Sequence, residues 1–230
     1  MQDIIQLKDV VFHWDAKKAP TIQIDELTIV QGQHTFIKGP SGCGKSTLLG
    51  LLTGINQAQS GKISILGQNL SHLKASKRDR FRADHIGYIF QQFNLLPYLS
   101  VIDNVLLPCQ FSKYRESNTP APMQDKAREL LSSLKLPSEL FEQPVIELSI
   151  GQQQRVAAAR ALIGMPELII ADEPTSALDH DNRKVFIELL MEEAQKAEST
   201  LVFVSHDPTL EPLFKRSINL MDINQAGRKS

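Results

Sequence analysis

The chain has 230 residues, 42% of them hydrophobic and 22% charged, a balance typical of a globular protein rather than a disordered or fibrous one. Its formal net charge of −1 gives no electrostatic argument for a nucleic-acid partner, which favours a basic face. No run approaches the roughly 20 apolar residues of a membrane span, and residues 1–5 lack the features of a signal peptide. We therefore expect a soluble protein with one large core or two coupled subdomains.

Hydrophobic patterning predicts strands and helices that alternate along most of the chain. The predicted strands are 4–12, 21–30, 35–37, 62–66, 86–90, 168–172 and 200–204. The predicted helices are 46–52, 73–83, 123–135 and 181–196. This rhythm is typical of a parallel sheet with helices on its faces. Residues 92–160 differ, because prolines separate helical stretches there, and we expect a mostly helical insertion.

One segment matches the phosphate-loop pattern G-x-x-x-x-G-K-[ST] between a predicted strand and a predicted helix. Its residues are Gly39, Pro40, Ser41, Gly42, Cys43, Gly44, Lys45, Ser46 and Thr47. The glycines allow the backbone to curl and to aim its N–H groups at an anion. Lys45 is placed to reach the β- and γ-phosphates, and the Ser46 hydroxyl to hold Mg²⁺. A Gly-rich surface turn is the alternative, but the Lys-Ser pair and the flanking elements favour a nucleoside triphosphate site.

Polar side chains follow three of the predicted strands. Asp172 and Glu173 end the apolar run 168–172, and ligands of parallel sheets bind at the carboxyl ends of strands. Asp172 would then meet Mg²⁺, and Glu173 would polarise a water; without the phosphate loop, a solvated acidic turn would be the better interpretation. His206 is placed to contact a γ-phosphate or the attacking water, and Gln91 to bind the metal or the water.

Residues 148–155, Leu-Ser-Ile-Gly-Gln-Gln-Gln-Arg, resemble the signature motif of the ATP-binding subunits of ABC transporters. Residues 172–175 look like the Walker B motif of that family, and residues 176–179 look like its D-loop. Gln91 matches the glutamine of the Q-loop, His206 matches the switch histidine, and Trp14 falls where the family keeps an aromatic ring to stack on adenine. The resemblance spans residues 5–221, with the motifs in the right order and spacing.

The resemblance implies an α/β fold, a P-loop NTPase (RecA-like) parallel-sheet core with an N-terminal antiparallel β subdomain and a helical insertion subdomain. The whole chain, 1–230, would be one ABC ATPase domain, with its nucleotide-binding core in 1–91 and 161–230 and a helical subdomain in 92–160. The implied reaction is hydrolysis of ATP with Mg²⁺. The implied catalytic residues are Glu173, His206, Lys45 and Gln91, and the implied metal ligands are Ser46, Gln91 and Asp172.

By the same resemblance, two subunits sandwich two ATP molecules. One subunit binds the nucleotide through Trp14 and residues 39–47, and the second through Ser149, Gly151, Gln152 and Asp179. The implied partners are a second copy, in an ATP-dependent homodimer, or a different ATPase subunit, and a membrane permease that holds the protein at the cytoplasmic face of the (inner) membrane. No nucleic acid is implied.

Residues 88–97 are similar to the branch of the family that serves lipoprotein release and macrolide or peptide export. Export or extraction of a cell-envelope substrate such as a lipoprotein, peptide or drug is therefore the expected task. Two other hypotheses are a soluble ABC-type ATPase acting on nucleic acid or ribosomes, and a catalytically weak scaffold that dimerises with nucleotide. An ATPase acting on nucleic acid or ribosomes usually has two fused cassettes, a long coiled coil or basic extensions, and the sequence shows none of these, so we do not expect that function. A scaffold need not keep Glu173 and His206, which argues against the other hypothesis.

The signature departs from the family pattern at Ile150, where the family has glycine. Ser149 and Gln152 form an S-x-x-Q capping box, which makes Ser149 the predicted N-cap and Ile150 the first helical residue, a position that accepts isoleucine. The apolar stretch 93–99 is either core or a groove for a permease helix. Cys43 and Cys109 are expected to be free thiols in a reducing compartment, with Cys109 a packing residue.

Overall fold

The computed structural model describes residues 2–175 and 180–226. Its strands are β1 (Asp3–Phe12), β2 (Ile22–Val30), β3 (Thr35–Lys38), β4 (Ser60–Ile65), β5 (Gln68–Asn69), β6 (Ile86–Ile89), β7 (Leu168–Asp172), β8 (Thr200–Ser205) and β9 (Arg216–Asn219). Its α-helices are α1 (Lys45–Leu52), α2 (Ala75–His85), α3 (Val101–Phe111), α4 (Lys113–Ser117), α5 (Met123–Ser133), α6 (Ile150–Leu162), α7 (His180–Lys196) and α8 (Leu220–Ile223). The chain forms two compact units, Met1–Arg82 with Val202–Ser230, and Ala83–Leu201.

The first unit contains an antiparallel sheet in the order β2-β1-β4-β5. Alternating apolar side chains of β1 face the core of this sheet, and Leu7 lies opposite Leu27 on one side and Ile63 on the other. The same unit holds β3 in parallel pairing with both β8 and β9. Strand β3 is buried at Thr35, Phe36 and Ile37, as its continuous apolar sequence predicts for a strand covered on both faces.

The second unit pairs β6 with β7 in parallel, in the register Ile86 to Leu168 through Ile89 to Ala171. Helices α3 and α5 both pack against α6. Strand β6 approaches the end of α6 very closely, because a Cβ atom at Gly87 would lie 2.2 Å from the carbonyl oxygen of Ala161. Only glycine fits at this position without movement of the backbone.

The predicted helices and strands are present in the described residues, with ends that differ by a few residues. The expected helical character of 92–160 is confirmed by α3, α4, α5 and α6. No sequence pattern predicted β9, in which three of four residues are polar, or the short helix α8. The domain bounds 1–91, 92–160 and 161–230 stay a prediction. Within the described residues, no helix combines the length and the apolar character needed to cross a bilayer.

Candidate active site

The phosphate loop joins β3 to α1 in the first unit, as predicted. Gly42 and Gly44 have left-handed backbones, with φ of 79° and 103°, and a Cβ atom at Gly44 would lie 2.9 Å from Cδ1 of Ile22. Both positions therefore favour glycine for conformation, and the second also for space. The loop ends at the N-terminus of α1, where the helix dipole and the N–H groups favour an anion.

Lys45 is the first residue of α1 and is 8% exposed. Its Nζ donates to the carbonyl oxygens of Gly39 at 2.8 Å and Pro40 at 3.1 Å. The ammonium group therefore lies over the loop, where it would neutralise a phosphate held by the loop N–H groups. These features fit the triphosphate of ATP, because curled backbone, helix N-terminus and lysine converge on one segment.

Trp14 lies near the first turn of α1, although 33 residues separate it from Thr47 in the sequence. Its Nε1 donates to Oγ1 of Thr47 at 3.3 Å, and its ring packs edge-on against Phe12 with centroids 5.1 Å apart. The indole is 67% exposed, so one face remains open to a flat ligand. The structure thus brings Trp14 to the phosphate loop, as stacking on adenine requires.

His206 follows β8 at the edge of the sheet where the phosphate loop begins. Lys38 pairs with Ser205 across the parallel strands β3 and β8, so Gly39 and His206 leave the sheet side by side. The His206 side chain is exposed. This register places residue His206 beside the start of the loop, and its contact with a γ-phosphate stays a prediction.

Asn224, directly after α8, was not predicted and supports the phosphate loop. Its side-chain Nδ2 donates to the carbonyl oxygens of Thr21 at 3.0 Å and Cys43 at 3.4 Å, and the residue is 7% exposed. No local pattern marks this asparagine, because both partners are about 180 or more residues away in the sequence.

The second unit carries the predicted carboxylates at the end of β7. Asp172 is the last residue of β7, and Oη of Tyr88 on β6 donates to its Oδ2 at 3.4 Å. Burial, followed by the charge of Asp172, raises the pKa of Tyr88, so its hydroxyl stays protonated as a donor. Tyr88 therefore orients the Asp172 carboxylate, a role that the sequence did not reveal.

Glu173 has a left-handed backbone, with φ of 44°, in a half-buried position directly after β7. Glutamate adopts this conformation only at a cost in free energy, and such outliers cluster at functional sites. Gln91 is exposed and lies in the turn after β6, where N–H of Phe93 donates to the carbonyl oxygen of Phe90 at 2.9 Å.

The capping box predicted at the start of α6 is present. The N–H of Gln152 donates to Oγ of Ser149 at 3.4 Å, and the N–H of Ser149 donates to Oε1 of Gln152 at 2.8 Å. Ile150 is the first helical residue and is 54% exposed, so its side chain fits here without any requirement for glycine. Residues 176–179, which look like the D-loop and include the predicted nucleotide-binding residue Asp179, fall outside the described residues.

Both cysteines are free thiols, as predicted. Cys109 is buried, with Sγ 3.4 Å from Oγ1 of Thr119, and burial raises its pKa. Cys43 is half-buried in the phosphate loop. The two thiols therefore differ in access to reagents.

We expect a thiol-alkylating reagent to inactivate the protein by reacting with Cys43, because the adduct would fill the loop where phosphates bind. Bound ATP should protect for the same reason. The measurement is residual ATPase activity against time of alkylation, with and without ATP, with mass spectrometry of the modified thiol. The Cys109→Ser variant is the matched control and should be inactivated at the same rate; full activity after complete alkylation of Cys43 would refute the placement of the site.

The chain is similar to several known proteins. The family model described as ABC transporter matches residues 22–176. The lipoprotein-releasing system ATP-binding protein LolD of Bacteroides fragilis is 36% identical over 86% of this chain and 90% of its own length. The macrolide export ATP-binding/permease protein MacB of Hyphomonas neptunium is 37% identical over 98% of this chain, which spans only 35% of MacB.

Among solved structures, the chain is similar to the dimeric post-hydrolysis state of the ATP-binding cassette MJ0796 bound to ADP and Pi. The TM-score is 0.83, with 33% sequence identity, and the match covers 98% of this chain and 97% of that one. The match confirms the predicted fold, a P-loop NTPase with a parallel sheet, an antiparallel N-terminal sheet and added helices.

Proposed function

Because this chain belongs to the ABC transporter family as an ATP-binding cassette that hydrolyses ATP to energise transport, we propose that it drives a separate permease that exports or extracts a cell-envelope substrate. The observation that best supports ATP hydrolysis is the phosphate loop with the Lys45 ammonium lying over it. The names of LolD and MacB, which refer to lipoprotein release and macrolide export, support the part about the substrate class.

The chemical problem is the charge on the γ-phosphoryl group, which positioned donors and cations stabilise. Lys45 donates to the β- and γ-phosphates, the loop N–H groups hold them, and Trp14 stacks on adenine. Bound Mg²⁺ would neutralise part of the charge of the phosphates. Ser46, Asp172 and Gln91 are its proposed ligands, and the hydrogen bond from Tyr88 orients Asp172 for this task.

Residues that follow strands of the sheet position and activate the attacking water. Glu173 accepts a proton from the water or holds it in line, and its left-handed backbone aims the carboxylate. His206 contacts the γ-phosphate, which the register of β8 beside β3 supports. Gln91 contacts the metal or the water from the turn after β6.

A second copy of the chain completes each site in this proposal. The N-terminus of α6, with Ser149, Gly151 and Gln152, approaches the γ-phosphate of the ATP that the other copy binds. The helix dipole favours an anion there. Asp179 would also contribute from the partner. The dimeric state described for MJ0796 supports this arrangement. A heterodimer with a related cassette satisfies the same geometry.

Part of the stretch 93–99 is buried in the core, and part of it is exposed and could contact a permease helix. Phe93 is 6% exposed and belongs to the core, whereas Tyr98 is 75% exposed and Pro97 is also exposed. We propose that the exposed part binds a cytoplasmic helix of the permease, which holds the protein at the cytoplasmic face of the membrane. Its position beside Gln91 would connect permease movement to the site.

We expect Tyr98→Glu to abolish permease binding and to leave basal ATPase activity unchanged, because a buried carboxylate without a partner is costly in an interface. The measurement is co-purification with the permease, together with ATPase activity alone and with membranes that carry the permease. Phe111→Glu is the matched control, since Phe111 is 72% exposed in the same unit but lies outside the stretch. Equal permease binding by Tyr98→Glu and wild type would overturn this docking site.

No observation favours the alternative of an ATPase that acts on nucleic acid or ribosomes. The net charge is −1, and the relatives reported above are named for transport. ATPase stimulation by the permease, and none by RNA, is the result expected from the proposed function.

A further inference from the structure

Arg160 on α6 is a buried cation that contacts the turn after β6. It is 8% exposed, its Nη1 donates to the carbonyl oxygen of Asn94 at 2.7 Å, and its Nη2 donates to that of Phe93. Burial lowers the pKa of Arg160 to about 10, so the group remains charged at neutral pH. Among the described residues no carboxylate forms an ion pair with it. Its charge is therefore balanced by two backbone carbonyl dipoles.

The turn that Arg160 holds has an unfavourable backbone. Phe93 and Asn94 are consecutive left-handed residues, with φ of 60° and 49°. Asparagine tolerates this backbone, whereas a bulky residue such as Phe93 adopts it only at a cost in free energy, so neighbouring groups must fix the turn at Phe93. The hydrogen bond from Phe93 to Phe90 closes a turn whose two central residues are Gln91 and Gln92. Arg160 thus fixes the carbonyls immediately after the turn that presents Gln91.

The other end of the same helix carries the capping box of Ser149. Eleven residues separate Ser149 from Arg160, which corresponds to about 16 Å along an α-helix. Between them α6 is continuous and packed against α3 and α5. One rigid element therefore connects the signature motif to the turn of Gln91.

We propose that Arg160 is a positioning residue that ties the Gln91 turn to the signature helix, so that Gln91 and Ser149 move together during hydrolysis. The inference rests on the proposed function, in which Gln91 contacts the metal or the water. A guanidinium suits this task, because its planar fork donates from two nitrogens to two carbonyls at once, whereas the ammonium of a lysine at this position would end one bond short of both Nη atoms. Arg160 touches neither nucleotide nor water in this account and acts through Gln91.

The test is a double-mutant cycle with Arg160→Lys and Gln91→Ala. We expect Arg160→Lys to lower kcat about ten-fold and to change KM for ATP less than about two-fold, because the loop that binds ATP is not altered. The double variant should be no slower than Gln91→Ala alone, since Arg160 acts through Gln91. Hydrogen exchange of residues 90–94 should accelerate in Arg160→Lys, with residues 149–153 unchanged.

A second pair of variants tests the turn without altering the buried arginine. Asn94 is exposed, so its substitution does not threaten folding. Asn94→Ala disfavours the left-handed backbone and should lower kcat, whereas Asn94→Gly accepts that backbone and should retain it. Arg115→Lys is the control for loss of a buried guanidinium: Arg115 donates to the carbonyl oxygens of Ala161 and Ile163, and its loss should lower Tm and leave kcat within about two-fold.

The possible results separate the inference from the proposed function. If Gln91→Ala slows hydrolysis but Arg160→Lys and Asn94→Ala do not, the inference is wrong and the proposed function stands. Additive losses in the double variant would make Arg160 a merely structural residue and would also overturn it. If Gln91→Ala leaves hydrolysis unchanged, the proposed role of Gln91 fails and the inference fails with it.

Discussion

The Glu173→Gln variant should bind ATP with wild-type affinity and hydrolyse it about 10²- to 10⁴-fold more slowly, the range expected for loss of a general base. The amide keeps the size and hydrogen-bonding atoms of the side chain but cannot accept a proton from the water. The left-handed backbone of Glu173 should be retained, because the substitution changes one terminal atom. The measurement is single-turnover hydrolysis together with equilibrium binding of ATP.

Glu167→Gln is the matched control, since Glu167 lies just before the opposite end of β7. Its carboxylate accepts hydrogen bonds from Tyr114 at 2.6 Å and His85 at 3.0 Å. Its substitution should lower stability and leave hydrolysis unchanged. A Glu173→Gln variant that hydrolyses ATP as fast as wild type would exclude Glu173 as the base.

The Lys45→Ala variant should lose ATP binding by roughly 100-fold, because a hydrogen-bonded charge pair with phosphate contributes about 3 kcal/mol. Hydrolysis should fall further, since the ammonium also stabilises charge that develops in the transition state. The left-handed turns at Gly42 and Gly44 should be retained, although the bonds from Nζ to the carbonyl oxygens of Gly39 and Pro40 are lost. Binding of a fluorescent ATP analogue and steady-state kinetics measure the two effects.

Lys38→Ala separates this effect from a general loss of positive charge beside the loop. Lys38 is the last residue of β3 and forms an ion pair with Glu211 at 2.7 Å, in which about a third of each side chain is exposed. Such surface pairs contribute roughly 0–1 kcal/mol to stability, so ATP affinity and turnover should stay near wild type. If the two lysine variants weaken ATP binding equally, the specific role of Lys45 is wrong.

Local sequence patterns predicted the parts of the site that depend on nearby residues. The phosphate loop needs glycines at fixed spacing, and the capping box needs Ser149 and Gln152 three residues apart; both are present. The order of strands and helices was predictable because apolar spacing differs between the two elements. These features need no knowledge of how distant segments meet.

Contacts between distant segments were not predictable. The bond from Tyr88 to Asp172 requires the register of β6 and β7, and the bond from Arg160 to Asn94 requires the packing of α6. The left-handed backbones of Phe93 and Glu173 left no mark in the sequence, because such positions normally carry glycine. The residues that would form the site were therefore predictable from sequence, whereas the residues that would orient them became visible only in the structure.

ATP-dependent dimerisation of Glu173→Gln is the decisive test of the proposed function, because only two copies with ATP between them complete the proposed site. Light scattering would give the molar mass with no nucleotide, with ADP and with ATP, each in the presence of Mg²⁺. We expect a mass of two chains with ATP and of one chain otherwise. A single-chain mass at saturating ATP, with binding of ATP verified in the same sample, would contradict a site formed by two copies of this chain.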